Sequence, residues 1–128
     1  MKTVIHSQNA PAPIGPYSQA VKVGSMLYLS GQIALDPYTG LMLQDSIEQE
    51  TTQVMANIKA ILSAAGIDFS AVVKTSIFLS DMNLFGAVNA VYEQYFKTDF
   101  PARETVQVAG LPKNANVEIS VIAFINQQ

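Results

Sequence analysis

Residues 117–125, VEISVIAFI, constrain the fold of this chain more than any other stretch. Strand alternation puts Val117, Ile119, Val121, Ala123 and Ile125 on one face and Glu118, Ser120, Ile122 and Phe124 on the other. The first face needs a covering layer. The second is half large and apolar, and an exposed sheet face of that kind marks an interaction surface. A sheet built on this strand is therefore expected to carry helices on one side. On the other it should meet further copies of the chain, with a ligand site where the interface encloses polar groups.

The rest of the pattern supplies those layers. Residues 1–6 suit a short strand, and "SQNAPAPIGPYS" reads as an extended loop, with three prolines in six residues. Residues 19–23 and 26–33 form a hairpin about Gly24-Ser25, and "DPYTG" is a turn. Residues 46–65 form a helix with Val54, Ile58, Ile61, Leu62 and Ala65 on one face; Ser46 and Gln49 make a capping box, and Gly66 stops it. A strand over 71–80 follows. Asp81 then caps a second helix at about 83–97, with Leu84, Val88, Val91 and Tyr95 as its apolar stripe. Strands 103–109 and 116–125 complete the order β-β-β-α-β-α-β-β. The expected class is a two-layer α+β domain spanning residues 1–128: a mixed sheet with two helices on one face.

Composition narrows the function. The chain is 49% apolar and only 13% charged, which agrees with surface hidden between copies. Its net charge is −3 with no basic run, so a footprint for nucleic acid is missing. It has no cysteine and one histidine, His6, read as structural. Thiolate chemistry and two-histidine acid–base catalysis within one chain are excluded, and no phosphate loop, HExxH or GxSxG pattern occurs. Residues 1–10 lack an apolar signal core, and no apolar run reaches membrane-spanning length; a soluble cytoplasmic protein is expected.

Among seven cations only Arg103 is an arginine, and it lies in "FPARETVQV". If Val106 and Val108 point under the helices, Arg103, Thr105 and Gln107 share the open face with Glu118. Two readings follow. One is an ordinary cross-strand salt bridge. The other is a split site, in which Arg103 grips a carboxylate bidentately and Glu118 handles a proton or a water.

"IGPYSQA" (14–20), "YLSGQI" (28–33), "VNAVYEQYF" (88–96) and above all "FPAR…LPKNANVEISVIA" (100–123) resemble the Rid (YjgF) family, in register over essentially the whole chain. The resemblance implies a chorismate-mutase-like fold and a homotrimer around a barrel-like core, with ligand sites at the three subunit interfaces. It also implies hydrolysis of reactive 2-imino acids and enamines, such as 2-iminobutanoate and 2-iminopropanoate, to 2-keto acids and ammonia, without metal or organic cofactor. On that resemblance Arg103 binds the substrate carboxylate and Glu118 positions or activates water. Tyr17 lines the pocket from the N-terminal loop, Ser30 and Gly31 form its wall, and Asn89 approaches from a helix. Thr105 stands where a cysteine is common. Glu104 departs from the pattern, since a small or apolar residue is usual there. Two other functions stay open on the sequence: a non-catalytic sensor of keto or amino acids using the Arg103 pocket, and an endoribonuclease or translation inhibitor.

Overall fold

A computed structural model describes residues 1–126, so the last two positions of the expected domain lie outside the described residues. The strands are β1 (Lys2–Ile5), β2 (Ala20–Val23), β3 (Met26–Gln32), β4 (Val72–Leu79), β5 (Ala102–Gln107) and β6 (Val117–Phe124). The helices are α1 (Ile47–Ala64) and α2 (Phe85–Tyr92). The six strands form one sheet in the order β1-β2-β3-β6-β4-β5. Only the β4–β5 pair is parallel. The expected α+β class and element order hold.

Local chemistry sets the helix ends. Ser46 Oγ accepts from the Gln49 amide at 3.0 Å, and Gln49 Oε1 accepts from the Asp45 amide at 2.7 Å, a shifted form of the capping box. Gly66 follows α1 with φ +78°, a backbone that glycine adopts without strain. The second helix is shorter than the periodicity predicts. Asp81 caps a 3-10 turn, Met82–Leu84, that leads into α2, and a second 3-10 turn, Glu93–Tyr95, ends it. Tightening of terminal turns is how a short helix satisfies amide and carbonyl groups that lack α partners.

The core lies between the helices and one sheet face. Leu27, Leu29, Ile77, Leu79, Val117, Ile119, Val121 and Ala123 meet Val54, Met55, Ile58, Ile61 and Leu62 of α1, all buried. No helix or strand among the described residues covers the opposite face. Val4, Val23, Tyr28, Val73, Val106 and Phe124 stand on or beside it, roughly half exposed. The alternation in β6 is therefore realised as read: one face is core and the other an uncovered apolar surface. Among the described residues no helix is long and apolar enough to cross a membrane.

One buried charge helps hold the layers together. Glu50 of α1 is fully buried, and its carboxylate accepts from the Asn116 backbone amide at 2.7 Å and from Asn116 Nδ2 at 2.9 Å. Asn116 also accepts from Ser80, at its carbonyl (3.0 Å) and at Oδ1 (2.9 Å). The clamp ties α1 to the end of β4 and the start of β6. A buried donor left without an acceptor costs free energy, and charged hydrogen bonds are the stronger kind. Glu50→Ala should destabilise the fold by about 2–4 kcal/mol in urea denaturation. A loss below about 0.5 kcal/mol would mean that the clamp is not needed.

Candidate active site

The N-terminal loop reaches the site because one amide organises it. Gln19 is buried; its Oε1 accepts from Ser7 N at 2.7 Å, and its Nε2 donates to the carbonyls of Ser7, Ala10 and Pro11 at 3.1, 3.3 and 2.9 Å. Ser30 adds a second tie: its hydroxyl donates to Ser18 O at 2.6 Å and its amide donates to Gln19 O at 2.9 Å. Ser30 thus fastens the loop to β3 and does not line the recess that the loop forms. Tyr17 does line it, with its hydroxyl accepting from the Ile14 amide at 3.2 Å.

That recess is bounded by residues 11–14, Tyr17, Gly31, Pro112 and Glu118, among others. Gly31 sits in a register shift between Leu29 and Gln32 of β3, and Glu118 lies across it. A Cβ on Gly31 would stand 2.5 Å from Glu118 Oε2 and 2.7 Å from its Cδ, so only glycine leaves room for the carboxylate. Glu118 has no hydrogen-bond or ion-pair partner among the described residues, and burial pushes its carboxyl above the ordinary 4.5.

Arg103 lies elsewhere. Thr75 pairs with Arg103 and Ile77 with Thr105 across β4–β5. Thr75 and Ile77 are core-facing and buried, so Arg103 and Thr105 point to the helix side. Glu118 pairs with Phe78, on the opposite parity of β4, and β4 separates β5 from β6. The expectation that Arg103 and Glu118 share the open face is overturned, and with it the cross-strand salt bridge. Val106 is correspondingly exposed on the open face and not under the helices. The edge strand takes its parity from the register with β4, which β5's own residues do not disclose.

This parity also accounts for Glu104. It pairs with Ser76 on the open face, accepts a short hydrogen bond from the Ser76 hydroxyl, and forms a 3.0 Å ion pair with Lys74. The Ser76 hydroxyl first, then Lys74, hold its carboxyl below the usual range. Glu104 is thus paired with a lysine and does not approach Arg103.

On the helix side, Arg103 shares a second recess with Asn89, Tyr92, Glu93, Phe100 and Pro101. Its guanidinium carbon lies 5.1 Å from the Tyr92 ring centre and 5.6 Å from that of Phe85. It has no hydrogen bond or ion pair among the described residues, so its fork of donors is free for a planar anion. Tyr92 is a site residue that the sequence reading missed. The signal was available: Phe85, Asn89 and Tyr92 recur at i, i+4 and i+7, a stripe one residue round from the apolar one. Thr105 lines neither recess, and its buried hydroxyl has no hydrogen-bond partner among the described residues. Among the described residues no group of three His, Asp or Glu side chains converges as a metal site.

The structure thus displays two separate recesses: Glu118, Gly31 and Tyr17 line one, Arg103 and Asn89 the other. Each holds a charged group with no hydrogen-bond or ion-pair partner among the described residues. The Endoribonuclease L-PSP family model matches residues 7–125. The human protein named 2-iminobutanoate/2-iminopropanoate deaminase is 48% identical over 124 residues, covering 97% of this chain and 90% of its own. The crystal structure of YyfA, a Rid-family protein of Yersinia pestis, superposes with a TM-score of 0.95 at 50% identity, covering 98% of this chain and all of that one. That of E. coli TdcF with bound serine gives 0.92 at 39% identity, covering 97% and 99%. With family motif, fold and relatives agreeing over nearly its whole length, this chain belongs to the Rid (YjgF) family, the Endoribonuclease L-PSP proteins.

Proposed function

We propose that the protein is a 2-imino-acid deaminase whose site is completed between subunits of a homotrimer. The observation that carries the reading is the pair of unpaired, complementary charges on opposite faces of one sheet. Within one chain Arg103 and Glu118 cannot meet across the sheet. Between copies packed through the uncovered apolar face, the Arg103 recess of one subunit can close on the Glu118 recess of the next. Tyr17, on the preorganised loop, then limits the room for the substrate side chain.

In this mechanism the Arg103 guanidinium holds the carboxylate of a 2-iminium acid. Glu118, ionised, orients a water and takes one of its protons as the oxygen bonds to the imine carbon. The same proton passes to nitrogen in the carbinolamine. The C–N bond then breaks as the hydroxyl proton leaves to Glu118, giving keto acid and ammonia. Ammonia recovers that proton as ammonium, and the carboxylate is restored. Iminium and water are consumed; keto acid and ammonium are formed. No step calls on a cofactor, and positioning with general acid–base help supplies roughly 10² to 10⁴-fold.

Serine bound to TdcF makes a small carboxylate-bearing ligand reasonable for a close relative. It also favours a second reading, a sensor that binds keto or amino acids without turnover. The ribonuclease reading has the family description and the names of similar solved structures behind it, against a net charge of −3. Ammonia release from an imine generated in situ by a dehydratase separates these. Acceleration over buffer supports deamination, and calorimetric binding of pyruvate without acceleration supports the sensor. Light scattering should return the mass of three chains.

Three outcomes are expected from variants. Arg103→Ala and Arg103→Lys should each lower kcat/KM by roughly 10²-fold or more, because lysine cannot reproduce the planar fork; wild-type kinetics in both would remove Arg103 from the mechanism. The acidic limb of kcat/KM should lie above pH 4.5, since the active form is the carboxylate and burial raises its pKa. Glu118→Gln should abolish that limb along with most of the activity, and an unchanged limb would assign it to another group. Gly31→Ala should leave the melting temperature nearly unchanged yet reduce kcat/KM roughly as far as Glu118→Gln does, because its methyl displaces the Glu118 side chain. Full activity in Gly31→Ala would show that the observed Glu118 position is not the working one.

A further inference from the structure

Among the described residues the Arg103 guanidinium meets ring faces and has no hydrogen bond or ion pair. Phe85 and Tyr92 are two helical turns apart on α2, so both rings lie on one side of the helix. They differ in how firmly they are held. Phe85 is partly exposed, whereas Tyr92 is buried at 4% exposure, its hydroxyl 2.8 Å from the hydroxyl of Thr75. Thr75 is itself buried and is the register partner of Arg103 across β4–β5. One β4 residue therefore touches both the backbone that carries the arginine and the ring on which its head group rests.

The arrangement has a chemical consequence. A carboxylate in place of the ring would hold the guanidinium more strongly but would occupy its donors and compete with an anionic ligand. A neutral ring attracts the cation through its quadrupole and leaves the N–H fork free. Burial pushes the Tyr92 phenol above its ordinary value, which keeps the platform uncharged. The Phe96 ring packs directly against that of Tyr92, centroids 4.8 Å apart, which adds to the rigidity of the platform.

We propose that Tyr92, tethered by Thr75, is the positioning residue that holds the Arg103 guanidinium ready for a ligand carboxylate. The proposal rests on the reading of Arg103 as the carboxylate clamp. Tyr92 touches no reacting atom; it acts through Arg103.

The test uses the fact that the chain has one arginine, so its Nε–Hε group gives a resonance of its own in ¹⁵N-arginine-labelled protein. Two variants are compared with wild type: Tyr92→Leu, which removes the ring, and the Thr75→Val/Tyr92→Phe double variant, which removes both hydroxyls and keeps the shapes. Replacing both partners of a hydrogen bond by apolar groups of similar shape can be nearly neutral in stability. The double variant therefore decides the matter if Tyr92→Leu does not fold. In both variants, without ligand, the Arg103 resonance should move toward the position of free arginine. The pyruvate Kd should rise roughly 3- to 30-fold, most in Tyr92→Leu. For the imine substrate, KM should rise by a similar factor with kcat changed less than about twofold. An unmoved resonance and unchanged pyruvate Kd in the double variant would overturn the proposal. Failure of the carboxylate-clamp reading has a different signature: wild-type protein that neither binds pyruvate nor accelerates imine hydrolysis, whatever the resonance of the unliganded variants does.

Discussion

The register of β4 against its two neighbours governs the molecule. β4 lies between β6 and β5, antiparallel to one and parallel to the other, and its even and odd residues separate two chemistries. Thr75, Ile77 and Leu79 face the helices; Ser76 and Phe78 face away. Strand pairing extends that division to both neighbours. Arg103 therefore comes up beneath α2, and Glu118 and Glu104 emerge on the uncovered side. A slip of one residue in the β4–β5 pairing would exchange Arg103 for Glu104 and place a carboxylate against the Tyr92 ring.

Among the described residues the two charged groups of the candidate site have no hydrogen-bond or ion-pair partner, while Glu104 and the helix-borne Glu50 do. Glu104 has Lys74 and Ser76, and the buried Glu50 has Asn116. Arg103 rests against the Tyr92 and Phe85 rings, and Gly31 leaves room for Glu118. Leaving a half-buried charge unpaired is costly, and on the proposed reading a ligand of the opposite sign or a polarised water would offset this cost. Glycine at 31 and tyrosine at 92 are the local features that make this possible, one by leaving space and the other by supporting a cation without consuming its donors.

On the proposed reading the apolar outer face links this chemistry to assembly. Its residues run across the strands, and its rim carries the Glu118 recess. Covering the face with another copy both buries the apolar side chains and brings a foreign surface to Glu118. On the proposed reading a single event completes fold and site together, which is why a chain so short of charge can remain compact.

Much was legible in the sequence by itself. Strand and helix periodicities depend on backbone geometry alone, so the order of elements, the capping of α1 at Ser46, the glycine stop at 66 and the two-sided character of β6 could all be read directly. The family motifs put Arg103, Glu118, Tyr17, Ser30, Gly31, Asn89 and Thr105 in one group. The tertiary structure decided how that group is divided. Parity of an edge strand depends on which residue of the neighbouring strand it pairs with, and nothing within residues 102–107 encodes that choice. The same pairing placed Glu104 beside Lys74, moved Val106 out to the open face, and brought Tyr92 under Arg103. Alternation determined that β5 has two unlike faces; only pairing with β4, enforced by burial of Thr75 and Ile77, determined which face holds the arginine.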